Sequence, residues 1–280
     1  MLLNGDMTTW NDWVAARTKN FANPTGFLAV TSMNWLTNEP QSFEDVEGEW
    51  WAEDHKVFSR GFTSNEVQSF DLKPGSEITL PAGDGVLEVA SRHGAIILRP
   101  RSPHSDLLAK FDGVKVFDYD PAYLVEAKLE GSTKSVAVGS LAGETKSDKV
   151  SPGELVFELG GQTNRITAFE TANPDQLSVM FRDASNGITT YGTGRNLTAH
   201  RLENDNWSID FNYAQNYPCS YTDFATCPIV PLENRLSVGV EAGEKTPVYR
   251  STSDGLKQQG SATRVVHTLE VLAQAHRPDQ

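Results

Sequence analysis

Three stretches in the second half of the chain concentrate side chains that can hold or transform a small polar molecule: Asp183 to Arg195, Trp207 to Cys219, and Cys227 to Leu236, the last followed by Gly243-Glu244-Lys245. Arg195 and Arg235 are planar five-donor forks able to clamp a carboxylate or phosphate in bidentate fashion. Gly192 and Gly194 let backbone amides approach an anion. Together with Tyr191, Asp210, Asn212, Asn216 and Asn234 these arginines form a candidate site for a small anionic ligand. A second expectation is a hydrolase- or isomerase-type enzyme using Asp183 or Asp210. That chemistry needs two carboxyl groups brought close and given separated pKa values. A third is a structural or interaction protein with no pocket, in which the same side chains tie proline-rich loops to a barrel end. Buried polar groups must be hydrogen-bonded whether or not a ligand arrives.

Other motifs carry less chemistry. Cys219 lacks the adjacent base that a nucleophilic thiol needs. With Cys227 it fits either free buried thiols or a local disulfide, and two cysteines without a nearby histidine make no zinc site. Ser91-Arg92-His93 is spaced one residue too tightly for phosphothreonine reading of the forkhead-associated type. Thr190 to Gly194 lacks the Lys-Ser/Thr of a phosphate loop. No residue pattern specifies a cofactor, flavin included.

These stretches must be positioned by strands. Trp207, Ile209 and Phe211 share one strand face, and Ser208, Asp210 and Asn212 share the other. Tyr123, Val125, Ala127 and Leu129 alternate as a half-buried strand requires. Further strands are expected at Glu49 to Ser59 (bent at Glu53-Asp54-His55), Val86 to Leu98 (bent near His93-Gly94), Val136 to Ser140, Leu177 to Arg182 and Ile188 to Tyr191. Phe27 to Met33, a short apolar run, opens this β region. Gly160 to Asn164 is a turn signal between the strands Glu154 to Leu159 and Arg165 to Glu170. Pro228 and Pro231 make the third stretch an ordered irregular loop. Strands at this spacing without intervening helices predict a mainly β fold, an antiparallel barrel or sandwich.

One helix precedes them. Trp10, Trp13, Val14, Arg17 and Phe21 recur at helical spacing, Thr9 is a candidate cap, and Asn23-Pro24 ends the pattern. The division expected is an N-terminal helix over 1–25, a smaller β unit over 26–105, the main barrel or sandwich over 106–248, and a tail over 249–280. That tail is loose at 251–260 and helical at 265–275. Adjacent Trp50 and Trp51 point to opposite faces of a strand, which offers one of them as a homodimer contact or pocket lid.

The net charge of −13 comes from 24 basic and 37 acidic residues. Gripping a phosphate backbone requires a basic stripe that displaces counterions. Neither nucleic acid nor an anionic membrane surface is therefore an expected partner, whereas a local basic pocket for a small anion is compatible. The N-terminal residues lack the basic region and apolar stretch of a signal peptide. No apolar run reaches the roughly 18 residues of a membrane span. The expectation is a soluble, acidic, cytoplasmic protein.

The combination of Asp183, Thr190-Tyr191-Gly192, Gly194-Arg195, Asp210-Phe211-Asn212, Asn216, Pro218-Cys219, Cys227-Pro228, Glu233 to Leu236 and Ala242 to Lys245 resembles the prokaryotic domain-of-unknown-function family number 1684. Pro24 to Ala29 followed by Trp35-Leu36 is similar to the start of that family. The resemblance covers about residues 10 to 248 and implies no activity.

Overall fold

The computed structural model describes residues 7–92, 94–140, 143–225 and 227–250. His93, the expected bend residue, and the tail segments 251–260 and 265–275 lie outside the described residues. Helix α1 (Met7–Phe21) starts two residues before the expected Thr9 cap. Its aromatic face docks on the loop after the last barrel strands. The Trp10 indole N–H donates to the Asn212 carbonyl at 3.1 Å, and Trp13 meets Tyr213 edge-on at 5.2 Å. The apolar run after Gly26 becomes a 3-10 turn over Phe27–Ala29 rather than a regular strand. Leu28 and Ala29 are nonetheless fully buried there.

The first β unit consists of β1 (Asn34–Trp35), β2 (Gln41–Phe43), β3 (Val46–Glu53), β4 (Lys56–Arg60), β5 (Gln68–Asp71), β6 (Glu77–Ala82), β7 (Gly85–Arg92) and β8 (Ala95–Arg101). They form two four-stranded antiparallel sheets, ordered β2-β3-β4-β5 and β1-β8-β7-β6. Trp50, Val57, Leu87, Val89, Ile96 and Leu98 fill one core between them. Trp51 points away from that core and stacks on Phe58 at 5.4 Å. The opposite face of β7 and β8 carries Glu88, Arg99 and Arg101. Although charged, Glu88 and Arg99 are buried there, because this face is covered by the rest of the molecule.

Helix α2 (Asp106–Lys110) is capped by Ser105, whose hydroxyl accepts from the Leu108 amide at 3.1 Å and donates to the Leu28 carbonyl at 2.6 Å. One hydroxyl thereby satisfies an orphan helix donor and ties the linker to the first unit. The second unit contains β9 (Leu124–Glu130), β10 (Lys134–Ser140), β11 (Gly143–Ser151), β12 (Gly153–Leu159), β13 (Gln162–Glu170), β14 (Gln176–Phe181), β15 (Arg195–Arg201), β16 (Trp207–Asp210) and β17 (Gln215–Asn216). Strands β9, β12, β13, β14, β15 and β16 close into a six-stranded antiparallel barrel, β16 pairing back to β9. Closure removes the unpaired edges that an open sheet would present. Strands β10 and β11 pair only with each other, and β17 adds to β15.

The expected alternations hold. Ala127, Ile209, Phe211 and Trp207 all enter the barrel core, with Tyr123, Val125 and Leu129 packed against it. The β12–β13 turn has positive φ at both Gly160 (63°) and Gly161 (74°), the backbone of a tight two-residue hairpin. The expected strand over 188–191 is instead a chain of turns, and Ile188 is 80% exposed. The reason is local: the amides of Ile188, Thr189 and Thr190 all donate to the Ser185 carbonyl, in a turn held by the Asp183 and Asn186 side chains, which accept from the Ser185 and Asp183 amides.

Candidate functional site

The polar cluster is built around Arg195, the first residue of β15, which pairs with Phe181 on one side and Asn216 on the other. Its side chain is fully buried. One terminal nitrogen donates to Asp183 at 3.0 Å and to the Val240 carbonyl at 2.7 Å. The other donates to the Ala242 and Glu244 carbonyls. Burial pushes the Arg195 pKa down, and the neighbouring Asp183 carboxylate counters it. The second oxygen of Asp183 accepts from the amides of Ser185 (2.8 Å) and Val240 (3.0 Å). An ion pair thus clasps the strandless segment 236–245 onto the barrel.

Gly194 makes this approach possible. Its φ is +97°, and a Cβ there would stand 2.4 Å from the Phe181 carbonyl oxygen and 2.8 Å from Arg182 Cγ. Gly194→Ala is expected to lower stability by about 1–3 kcal/mol through backbone strain, measured as the shift in urea midpoint at unchanged slope.

The asparagines act the same way. The Asn234 side chain accepts from the Thr167 amide and donates to the Thr167 and Met180 carbonyls, each at 2.8 Å. Asn212 accepts from the Asp120 amide at 3.0 Å and donates to Asp120 O and Asp210. Asn216 donates from its side chain to the Lys245 carbonyl at 2.7 Å, and its amide N–H donates to Glu244 at 2.8 Å. Glu244, also fully buried, pairs with Arg17 of α1 at 2.6 Å. Burial raises its pKa against the pull of Arg17.

The other expected site residues lie at the rim. Tyr191 is half-buried, with its hydroxyl on the Cys219 carbonyl at 3.0 Å. Asp210 is half-buried and accepts from Tyr119 (3.2 Å) and Asn212. Burial raises its pKa while those hydrogen bonds oppose the rise. Arg235 is exposed. Asp183 and Asp210 share none of these partners. Cys219 and Cys227 are free buried thiols. The Cys219 amide N–H donates to Cys227 Sγ at 3.3 Å, and the Cys227 thiol lowers the Cys219 pKa by hydrogen bonding. Among the described residues, no group of three or more His, Cys, Asp or Glu is placed to hold a metal ion. None of their helices is long and apolar enough to cross a membrane.

A cleft of ≈ 450 Å³ opens beside this cluster, between α1, the first β unit and the Pro218 turn. Arg17, Asn20, Thr25, Thr79, Arg101 and Pro218 are among the residues that line it. Behind Arg101 lies Glu88, which faces three guanidiniums. It pairs with Arg99 and Arg101, and Arg92 stands 3.6 Å away while also reaching Glu77. Among the described residues, three arginines here share two carboxylates, leaving one positive charge uncompensated. Arg101 Nε is buried with no hydrogen-bond partner among the described residues. From the sequence, Arg17 was expected only as part of the α1 helical pattern, and Arg101 was not singled out. The available signal was Arg99 and Arg101 alternating with Ile96 and Leu98 on β8, opposite the core.

A family model described as "Protein of unknown function (DUF1684)" matches residues 109–245. The solution NMR structure of an uncharacterized protein of Haloarcula marismortui is 31% identical. The match covers 50% of this chain and 80% of that one, with a TM-score of 0.41. No curated protein matches. The matched residues span the barrel together with the Asp183–Arg195, Asn212–Asn216 and Asn234–Lys245 clasps, and the chain belongs to the DUF1684 family.

Proposed function

We propose that this protein binds a small anionic molecule carrying carboxylate or phosphate groups, in the cleft bordered by Arg17 and Arg101. The observation that supports it is the uncompensated guanidinium charge behind Arg101, placed at the wall of a ≈ 450 Å³ cleft in a chain of net charge −13. That volume lies in the range of small-molecule sites, roughly 300–1,000 Å³. In an otherwise acidic protein, a walled cationic spot concentrates small anions locally.

Each residue has a role. Arg101 is the principal cation in the cleft wall. Arg17 is a second, held in place by Glu244 and the Asn216 carbonyl. Asn20, Thr25 and Thr79 supply neutral hydrogen-bonding groups. The polar cluster serves this site indirectly, since Asn216 and Glu244 orient Arg17.

Isothermal titration with citrate, malonate and inorganic phosphate at fixed ionic strength tests the reading. The parent is expected to bind at least one of them saturably and to melt higher in its presence, because a ligand of the native state alone stabilises it. Arg101→Gln and Arg17→Gln should each weaken that binding about ten-fold, which is 1.4 kcal/mol. Thr79→Val, which leaves every arginine in place, should weaken it less. Equal binding by the parent and both arginine variants would remove the cleft from consideration, as would no binding at all.

A further inference from the structure

Arg182 and Arg235 form a pair that neither the clasp nor the cleft uses. Arg182 follows β14, and Arg235 sits in the loop 227–236. An isolated parallel bridge sets them side by side: the Arg182 amide N–H donates to the Asn234 carbonyl at 2.8 Å, and the Leu236 amide N–H donates to the Arg182 carbonyl at 2.8 Å. Bridged residues project to the same face. Asn234 and Leu236, flanking Arg235, turn inward to the barrel and are buried, while Arg235 is exposed and Arg182 half-buried. The pairing is fixed by the three hydrogen bonds of the Asn234 side chain.

Like charges directly opposite on paired segments repel. Here no ion pair relieves the repulsion: among the described residues, no carboxylate lies within ion-pair distance of either guanidinium. Asp183, next in sequence to Arg182, spends its oxygens on Arg195, Ser185 and Val240. Burial and Arg235 push the Arg182 pKa down, and the Asp183 charge counters them only in part. Arg182 Nε is buried with no acceptor among the described residues, and a buried donor without a partner calls for an explanation. The Arg182 stem is itself held, its Cγ lying against Gly194.

We infer that Arg182 and Arg235 form a second anion site, taking one oxyanion group, phosphate or carboxylate, between their two forks. A tetrahedral or planar oxyanion accepts from two adjacent guanidiniums at once. It would neutralise the like-charge contact. None of the cleft-lining residues takes part, so this site and the cleft stand or fall separately.

The test uses inorganic phosphate and malonate, titrated into the full chain while the arginine Nε–H resonances are followed by ¹H–¹⁵N NMR. The Arg182 signal is expected to shift saturably, in the parent and equally in Arg101→Gln. Arg182→Gln and Arg235→Gln should weaken this second binding event at least ten-fold. In anion-free buffer, Arg235→Gln should melt no lower than the parent, because it removes a repulsion and no ion pair. An unmoved Arg182 resonance, undiminished binding by Arg235→Gln, or a lower melting point for Arg235→Gln in anion-free buffer would each overturn the assignment.

Discussion

Arg195→Met is expected to lower the free energy of unfolding by about 3–5 kcal/mol, the loss typical of removing one partner from a buried ion pair. Arg195 and Asp183 both have fully buried side chains. Methionine would fill much of the volume but leave the Asp183 carboxylate without its cation. The carbonyls of Val240, Ala242 and Glu244 would also lose their donor. A buried charge left alone costs more than the pair contributed, and orphaned buried acceptors add to it. Arg195→Lys should lose less, since it keeps the charge but cannot reproduce a fork that spans Asp183 and carbonyls on both sides. The double variant Arg195→Met with Asp183→Asn should be milder than the sum of its parts, because the two groups interact directly. Urea unfolding of the three variants measures all of this. A loss under about 1 kcal/mol for Arg195→Met would show that the segment 236–245 is held by its apolar residues Leu236, Val240 and Ala242 rather than by the clasp.

Most barrel strands were legible in the sequence because they announce themselves locally, although β15 (Arg195–Arg201) was not among those expected. Alternation at Tyr123 to Leu129 and Trp207 to Phe211 marks two core faces, and Gly160-Gly161 marks one hairpin. Closure was not legible, since β16 pairs with β9 across most of the unit, and no local pattern encodes a non-local partner. Ile188 to Tyr191 misled for a related reason: their β propensity is real, but the amides of Ile188, Thr189 and Thr190 turn back onto the Ser185 carbonyl, in a turn that the Asp183 and Asn186 side chains hold. The polar cluster was found from its composition. Where its donors point was not, because Arg195 spends them on carbonyls at 240, 242 and 244. The cleft is assembled from residues 17, 79, 101 and 218, which no spacing rule connects. Glu88 gave a faint signal, a carboxylate between Leu87 and Val89 in a strand that otherwise reads as buried.

Glu88→Gln is the other substitution with a large expected effect, about 3–5 kcal/mol of stability at neutral pH, on the same reasoning about a buried pair that loses one partner. Burial pushes the Glu88 pKa up, yet hydrogen bonds and charge from Arg99 and Arg101 pull it further down, so its native value is below its ordinary one. A depressed carboxyl pKa contributes stability that is present above the unfolded value and is lost as pH falls through the native one. The gap between parent and Glu88→Gln should therefore close on acidification below about pH 4.5, the ordinary glutamate value. Glu244 works in the opposite sense. Burial raises its pKa, so its ionisation costs the native state stability as pH rises from the unfolded value through the native one. The two windows do not overlap: Glu244 weakens the parent and Glu88→Gln alike as pH rises above the ordinary glutamate value, so the two should differ in pH dependence only below it. The substitution also tests the cleft. Removing the carboxylate that holds Arg99 and Arg101 adds one uncompensated positive charge behind the cleft wall. Folded Glu88→Gln should consequently bind citrate more tightly than the parent and be rescued by it more, whereas unchanged citrate affinity would mean that Arg101 takes no part in holding an anion.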